Sequence, residues 1–130
     1  MRVPEKSELP LRAKPQTFVL DEHRLSLFRG AFGSTNGEIP PTVGAFALQG
    51  VFEILNSLHV DWKGLLHATQ RFRYIHPFTQ DQSLSAETSL RDARRRGGMI
   101  WLQFVTELSD TKTHQLIAES SSLIMVKEVP

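Results

Sequence analysis

The 130-residue sequence has no cysteine, no long apolar run and almost no net charge. The lack of cysteine excludes disulfides and thiolate metal sites and is typical of a reducing compartment. No apolar stretch approaches the ~20 residues of a membrane-spanning helix, and the first residues, MRVPEKSELPLRAKP, have no signal-peptide core. A net charge of +1 argues against general nucleic-acid binding. We therefore expect a cytoplasmic protein with no membrane span, no metal and no resident cofactor.

The chain is predicted to form one domain over residues 17–130, preceded by an extended arm over residues 1–16, which contains three prolines. TFVL at 17–20 is typical of a short strand, and Asp21 can cap a short helix after it. The segment 33–41 combines glycines, an asparagine and two prolines, which predicts a loop.

An amphipathic helix is predicted from Thr42, its natural N-cap, to Leu58. Gly44 and Gly50 each cost this helix about 1 kcal/mol relative to alanine. We therefore expect another group to approach the helix backbone closely. The apolar residues recur at steps of three and one, which places them on one helical face: Val43, Phe46, Ala47, Gly50, Val51, Ile54, Leu55 and Leu58.

Period-two alternation predicts four long antiparallel strands after the helix, at 65–78, 83–90, 99–108 and 116–126, with RRRGG and SDTKTHQ as turns. Only the helix has an apolar face large enough to fill the concave side of such a sheet. We therefore predict an α+β hot-dog fold, in which a long central helix is wrapped by a curved antiparallel sheet of about five strands. Strand 99–108 is apolar on both faces, which indicates a covered outer face or a dimer.

Strict alternation gives strand 65–78 two different faces. His67 is also a candidate to face the N-terminal end of the helix, because it lies where the strand begins; the alternative is a structural histidine. The predicted faces are Leu66, Ala68, Phe72, Tyr74 and Phe78 on one side, and His67, Thr69, Arg71 and Arg73 on the other.

The same strand carries a His-x-x-Gln-x-Phe-x-Tyr-x-x-Pro pattern, formed by His67, Gln70, Phe72, Tyr74 and Pro77. An Arg-Gly hairpin and an apolar last strand follow, and PPTVGAF opens the helix. In these features the chain resembles MaoC-like and FAS1-type dehydratases over about residues 17–127. The resemblance implies a protein that binds acyl thioesters of coenzyme A or acyl carrier protein. Active members interconvert (R)-3-hydroxyacyl and trans-2-enoyl thioesters.

Active members also carry Gly-Asp-x-Asn-Pro-x-His before the central helix, with Asp and His as acid and base. Here the corresponding loop reads GSTNGEI, so that Ser34 replaces the Asp and Ile39 replaces the His. Isoleucine cannot move a proton and serine is a poor acid or base at its ordinary pKa. The resemblance therefore implies a chain without the usual dyad. The remaining candidate catalytic residues are Ser34, Asn36, Glu38 and His67; a solvated loop acid is the alternative for Glu38.

The leading turn of the predicted helix is a candidate substrate-binding site at Thr42, Val43 and Gly44. Its amides have no intrahelical partners and the helix dipole is positive there, so a thioester oxygen would be polarised as in an oxyanion hole. The alternative is that Thr42 only caps its own helix.

Basic residues outnumber acidic ones by seven to three between Lys63 and Arg96. Arg94, Arg95 and Arg96 are therefore candidates to bind the phosphates of coenzyme A or an acidic carrier protein. The alternative is a solvated hairpin tip.

Three functions stay open at this point. The chain is a dehydratase or hydratase, or the non-catalytic subunit of one; it is a hot-dog module that binds acyl thioesters or other apolar ligands without chemistry; or it is a thioesterase, for which Glu53 is the only acid within the helix. Partners would be the acyl thioester and a second subunit, in a homodimer or in a heterodimer with a catalytic hot-dog subunit.

Overall fold

A six-stranded antiparallel sheet with one α-helix on one face is the main feature of the computed structural model, which describes residues 1–23, 26 and 49–128. The strands lie in the order β1-β4-β5-β6-β3, and β2 also pairs with β4. We call the face that contacts the helix the inner face and the opposite one the outer face. The elements are β1 (Leu11–Arg12), β2 (Gln16–Val19), α1 (Gln49–Ser57), β3 (Leu65–Tyr74), β4 (Ser83–Arg96), β5 (Met99–Asp110) and β6 (Leu116–Lys127).

The predicted helix is confirmed over its described part, α1. Its buried residues are Gly50, Val51, Ile54 and Leu55, and Leu58 follows as another fully buried side chain. They pack against Leu90, Ile100, Leu102, Phe104, Ile124 and Val126 of the sheet. Burying a side chain of this size stabilises the fold by about 1.5–3 kcal/mol, so α1 is the central element of this core. The predicted first turns, residues 42–48, lie outside the described residues.

The close approach expected at the helix glycines occurs at Gly50. A Cβ added to Gly50 would lie 2.5 Å from the Cβ of Thr88 on β4 and 3.3 Å from the Cβ of Ala13. The first distance is far below van der Waals contact. The absence of a side chain at Gly50 therefore allows α1 to lie directly on β4.

The β4–β5 hairpin is longer than the sequence indicated. Pairing continues to Arg96 and Met99, and Gly97 and Gly98 alone connect the strands, with φ of +61° and +76°. Positive φ at both central residues is the backbone of a type I′ turn, which favours glycine. The three arginines before the glycines therefore belong to strand β4 and not to the turn.

The N-terminal segment, expected as an extended arm, lies on the domain and adds its sixth strand. β1 pairs with β4, and Ala13 is buried in the core. The backbone N–H of Lys14 donates to the carboxylate of Glu53 on α1, over 3.1 Å. These contacts attach residues 1–16 to both the sheet and the helix.

The inner and outer faces of β5 agree with the alternation in the sequence. Ile100, Leu102, Phe104, Thr106 and Leu108 are buried on the inner face. The outer-face residues Met99, Trp101 and Val105 are half-buried. A second cluster fills the other end of the sheet and contains Leu20, Phe78, Leu84, Ala86, Leu108, Ile117 and Ala118. In the described part of the chain, no helix is long and apolar enough to cross a bilayer.

Candidate functional site

A β-bulge at Ala68 decides which side chains of β3 lie on the inner face of the sheet. His67 pairs with Ile124 and Thr69 with Leu123, so Ala68 is an extra residue without a partner on β6. Paired residues of an antiparallel ladder share a face, and Ile124 is buried on the inner face. His67 therefore lies on the inner face.

The predicted faces of β3 are wrong before the bulge. Leu66 pairs with Met125 and lies on the outer face, where its side chain is 56% exposed, although alternation had placed it with Phe72 and Tyr74. The extra residue reverses the side-chain directions on its N-terminal side. After the bulge, Arg71 and Arg73 are on the outer face, as predicted.

A band of polar side chains crosses the inner face from the helix contact to β3. We call it the polar strip; it consists of Thr88, Thr106, Ser120, Ser122 and Gln70. The hydroxyls of Thr88 and Thr106 are 2.8 Å apart and hydrogen-bonded. The Gln70 amide donates to Ser120, and the Ser122 hydroxyl donates to the Gln70 carbonyl over 2.7 Å. The strip therefore gives an otherwise apolar surface a set of ordered donors and acceptors.

No sequence motif pointed to the serines of this strip. The sequence feature that could have identified them is in the apolar strand LIAESSSLIMV, where polar residues interrupt the inward positions 120 and 122. Both serines are nearly inaccessible, with 2% and 3% exposure, whereas Ser121 between them is on the outer face. A buried hydroxyl needs a hydrogen-bond partner, and Gln70 supplies one to each.

Replacing Gln70 with alanine is expected to lower the free energy of unfolding by about 1–2 kcal/mol, because it leaves two buried hydroxyls without the amide. Urea denaturation measures this change. Gln49→Ala is the matched control, since Gln49 is exposed on α1, and it should be neutral. Equal stability of Gln70→Ala and the wild type would contradict the hydrogen bonds assigned to Gln70.

Aromatic side chains continue the inner face beyond the polar strip. The rings of Phe72 and Tyr74 stack at 5.9 Å between centroids, and Tyr74 meets Phe78 edge-on at 6.0 Å. Partial burial raises the pKa of the Tyr74 hydroxyl above its ordinary value, so it stays neutral and can donate a hydrogen bond. His67, Gln70 and Tyr74 thus place an imidazole, an amide and a phenol along one side of β3.

The loop and helix-start candidates lie outside the described residues, and their roles stay predictions. They are Ser34, Asn36, Glu38, Thr42, Val43 and Gly44.

The three arginines of β4 do not share one surface. Arg95 pairs with the inward residue Ile100, and its guanidinium contacts the carboxylate of Glu128 at 2.7 Å. Arg94 and Arg96 are on the outer face, where they line a depression of about 200 Å³ together with Trp101. Asp92 lies 2.7 Å from Arg94 and offsets part of the positive charge. Phosphate binding by Arg94 and Arg96 stays a prediction, and Arg95 could not contact the same phosphate from the opposite face.

The described residues contain no group of three or more His, Asp or Glu that could hold a metal ion. The inner face of β3 carries hydrogen-bonding side chains at His67, Gln70 and Tyr74.

A family model described as "FAS1-like, dehydratase domain region" matches residues 29–120. No curated protein matches the sequence significantly.

Three similar solved structures illustrate the range of relatives. The HadBC (3R-hydroxyacyl-ACP dehydratase) complex from Mycobacterium tuberculosis has a TM-score of 0.71 and 17% identity over 89% of this chain and 95% of that chain. R-hydratase PhaJ1 from Pseudomonas aeruginosa has a TM-score of 0.62 and 13% identity over 95% and 86%. A 1,4-dihydroxy-2-naphthoyl-CoA thioesterase from Synechocystis has a TM-score of 0.61 and 12% identity over 92% and 89%. At these identities the similarities establish the fold, and they confirm the hot-dog architecture.

Proposed function

The chain belongs to the hot-dog family of FAS1-like, MaoC-type dehydratases and hydratases, and we propose that within this family it is an acyl-thioester-binding subunit without the usual acid–base dyad. The observation that carries the proposal is a substitution. The family domain is present, and alignment of the GSTNGEI loop with the family motif predicts Ser34 and Ile39 at the positions of its Asp and His. Neither side chain is suited to moving the protons of hydration or dehydration.

The inner face of β3 supports thioester binding. The neutral Tyr74 hydroxyl offers a hydrogen bond, and the Phe72 ring stacked on the Tyr74 ring offers apolar surface. An acyl thioester needs this combination, because its carbonyl requires a donor and its chain requires an apolar surface. The amides of Val43 and Gly44 are the further predicted donors.

A partner subunit would supply the missing acid and base. The similar HadBC structure is a heteromeric complex, which favours a pairing of this kind over an isolated chain. In the proposed assembly this chain holds the acyl group, and the partner's Asp and His act on it. An acyl thioester of coenzyme A or of acyl carrier protein would be the ligand.

A thioesterase is the alternative that the Synechocystis structure raises. Such an enzyme needs a carboxylate free to activate water. The Glu53 carboxylate already accepts the Lys14 backbone N–H at the exposed flank of α1, and this contact disfavours a role as base.

The proposal is tested with the purified chain and three measurements. Calorimetric titration with octanoyl-CoA is expected to show binding that is stronger than that of coenzyme A alone, because the acyl chain adds buried apolar surface. Hydration of crotonyl-CoA, followed by loss of its enoyl absorbance, and release of free thiol are both expected to stay at the level without protein.

Each alternative predicts a different result in these measurements. Hydration by the chain alone would identify a complete hydratase, with His67 as the first residue to test. Thiol release would identify a thioesterase. If the chain binds neither octanoyl-CoA nor octanoyl-acyl carrier protein, the acyl-thioester proposal is excluded.

A further inference from the structure

The depression on the outer face of the sheet combines an aromatic ring with two cations. Its volume is about 200 Å³, and it lies close to the β4–β5 turn. Trp101 pairs with Arg94 on β4. Gln103 pairs with Asp92 on β4 and with Leu123 on β6. The complete lining is Asp92, Arg94, Arg96, Trp101, Gln103 and Leu123. The depression is therefore built on three neighbouring strands and not on a loop.

Trp101 and Leu123 supply the apolar surface of this depression. The Trp101 side chain is half-buried, and its indole N–H donates to the backbone carbonyl of Arg96 over 3.3 Å. This hydrogen bond orients the indole ring. Heteroaromatic bases stack on tryptophan rings in protein sites, because every base has a π-face. The Gln103 amide beside the ring can donate to and accept from the edge of a base.

Arg94 and Arg96 place two guanidinium groups at the rim of the depression. Both side chains are exposed. Asp92 contacts the Arg94 guanidinium at 2.7 Å, whereas Arg96 forms no ion pair within the described residues. A guanidinium can bind two phosphate oxygens through parallel N–H donors. The rim therefore has one arginine held in place by a carboxylate and a second arginine whose charge is not offset.

A row of carboxylates limits how far an anionic ligand can extend over the outer face. Glu107 pairs with Glu87 on β4 and with Glu119 on β6, so three glutamates lie side by side. Arg91 and Arg73 offset part of this charge, at 3.2 Å and 3.8 Å. The row lies about 20 Å along the strands from the depression. A nucleic-acid strand or an anionic bilayer covering the sheet would meet these carboxylates, and like charges repel. A small anion in the depression would not.

The depression is separated from the thioester site proposed on the inner face of β3. Tyr74 pairs with Ala118 on β6, and Ala118 pairs with Leu108 on β5. Leu108 and Trp101 are seven residues apart on β5, which corresponds to about 24 Å along the strand. The two sites also lie on opposite faces of the sheet. An acyl thioester on the inner face therefore leaves the depression accessible to another ligand.

We propose that this depression binds a purine nucleoside monophosphate as a second ligand, with the base on Trp101 and the phosphate between Arg94 and Arg96. A flat two-ring base can cover both apolar side chains of the depression. That the nucleotide is a second ligand rests on the proposed function, whereas nucleotide binding itself does not. The nucleotide of coenzyme A has the same chemistry, so the experiment distinguishes a free nucleotide from that end of the thioester.

Calorimetric titration with AMP measures the binding. AMP is expected to bind about tenfold or more tightly than adenosine or ribose 5-phosphate, because each of these lacks one of the two contacts. R94Q/R96Q should lose about tenfold or more of the AMP affinity. R95Q is the matched control, since Arg95 is on the same strand but on the inner face, and it should bind AMP as the wild type does.

Tryptophan fluorescence locates the base. Trp62 and Trp101 are the two tryptophans of the sequence, so W62F leaves Trp101 as the only reporter, and AMP is expected to quench its emission. W101L should lose about fivefold or more of the AMP affinity. W101F keeps an aromatic face and should bind AMP without quenching of Trp62, which tests the contact even if W101L folds poorly.

Octanoyl-CoA distinguishes the two sources of nucleotide. R94Q/R96Q should bind octanoyl-CoA as tightly as the wild type does. A parallel loss of octanoyl-CoA and AMP affinity would place the nucleotide end of the thioester in the depression and overturn the assignment of a second ligand. AMP binding without any octanoyl-CoA binding would support the nucleotide site and contradict the proposed function.

Three results would overturn the nucleotide site itself. They are equal binding of AMP and ribose 5-phosphate, equal AMP affinity of R94Q/R96Q and R95Q, and no quenching of Trp101 in W62F.

Discussion

Alanine at position 50 is expected to lower the free energy of unfolding by about 3 kcal/mol, the upper part of the range for overpacked cores. The new Cβ would overlap the Thr88 side chain, whose Cβ lies 2.5 Å away. Thr88 cannot move aside freely, because it belongs to the interior strand β4 and its hydroxyl is bonded to Thr106. The helix would have to lift from the sheet, and the contacts of Val51 and Ile54 with the core would loosen.

Chemical denaturation of Gly50→Ala against Asn56→Ala measures this effect with a matched control. Asn56 is exposed on the same helix, where alanine has the higher helix propensity, so this control should be neutral or slightly stabilising. Thr88→Ala should not rescue Gly50→Ala fully, because the Cβ of residue 88 remains. A Gly50→Ala protein as stable as the wild type would mean that α1 does not lie on β4 at this point.

The double variant S34D/I39H is expected to hydrate crotonyl-CoA at least 100-fold faster than the wild type. General acid and base groups each contribute about 10²–10⁴-fold to such reactions, and the chain keeps the rest of the family domain. The gain in hydration rate should depend on pH. It should appear only where the new Asp is ionised and the new His is in the protonation state that its role as acid or base requires. The measurement is the initial rate of loss of enoyl absorbance.

Non-ionisable side chains of similar size provide the control for this gain. S34N/I39Q should stay at the wild-type rate, since amides do not exchange protons as acids or bases at neutral pH. Equal rates in S34D/I39H and S34N/I39Q, with octanoyl-CoA still bound by both, would show that the GSTNGEI loop does not correspond to the family motif. That outcome would leave the binding function intact and remove the reason for assigning Ser34 and Ile39 to the lost dyad.

Local periodicity was sufficient to predict the helix and the hairpins. The apolar stripe at Gly50, Val51, Ile54 and Leu55 became the buried face of α1, because a 3.6-residue repeat leaves a helix few other ways to bury those side chains. The long strands 99–108 and 116–126 appear as β5 and β6, each within a few residues of the predicted ends. The family resemblance of residues 67–126 likewise depended on order and spacing alone.

Periodicity was not sufficient to predict the faces of β3 or the length of β4. The period-two alternation of the sequence cannot show that Ala68 is an extra residue, because a bulge is defined by pairing with the partner strand. The sequence RRRGG predicted a turn at its arginines. Their pairing with Trp101, Ile100 and Met99 instead extends β4 through them. The same pairing places Arg95 on the inner face of the sheet and Arg94 and Arg96 on the outer face.

The sequence by itself determined that an amphipathic helix precedes hairpin-linked strands, since the spacing of apolar residues belongs to the chain alone. The replacement of the family motif's acid and base by Ser34 and Ile39 stays a prediction from the resemblance. Only the tertiary structure decided that Gly50 contacts Thr88, that His67 lies on the inner face of the sheet, and that Gln70 is hydrogen-bonded to two buried serines. These are relations between residues far apart in sequence, and they depend on strand register, which is set when the whole sheet packs against the helix.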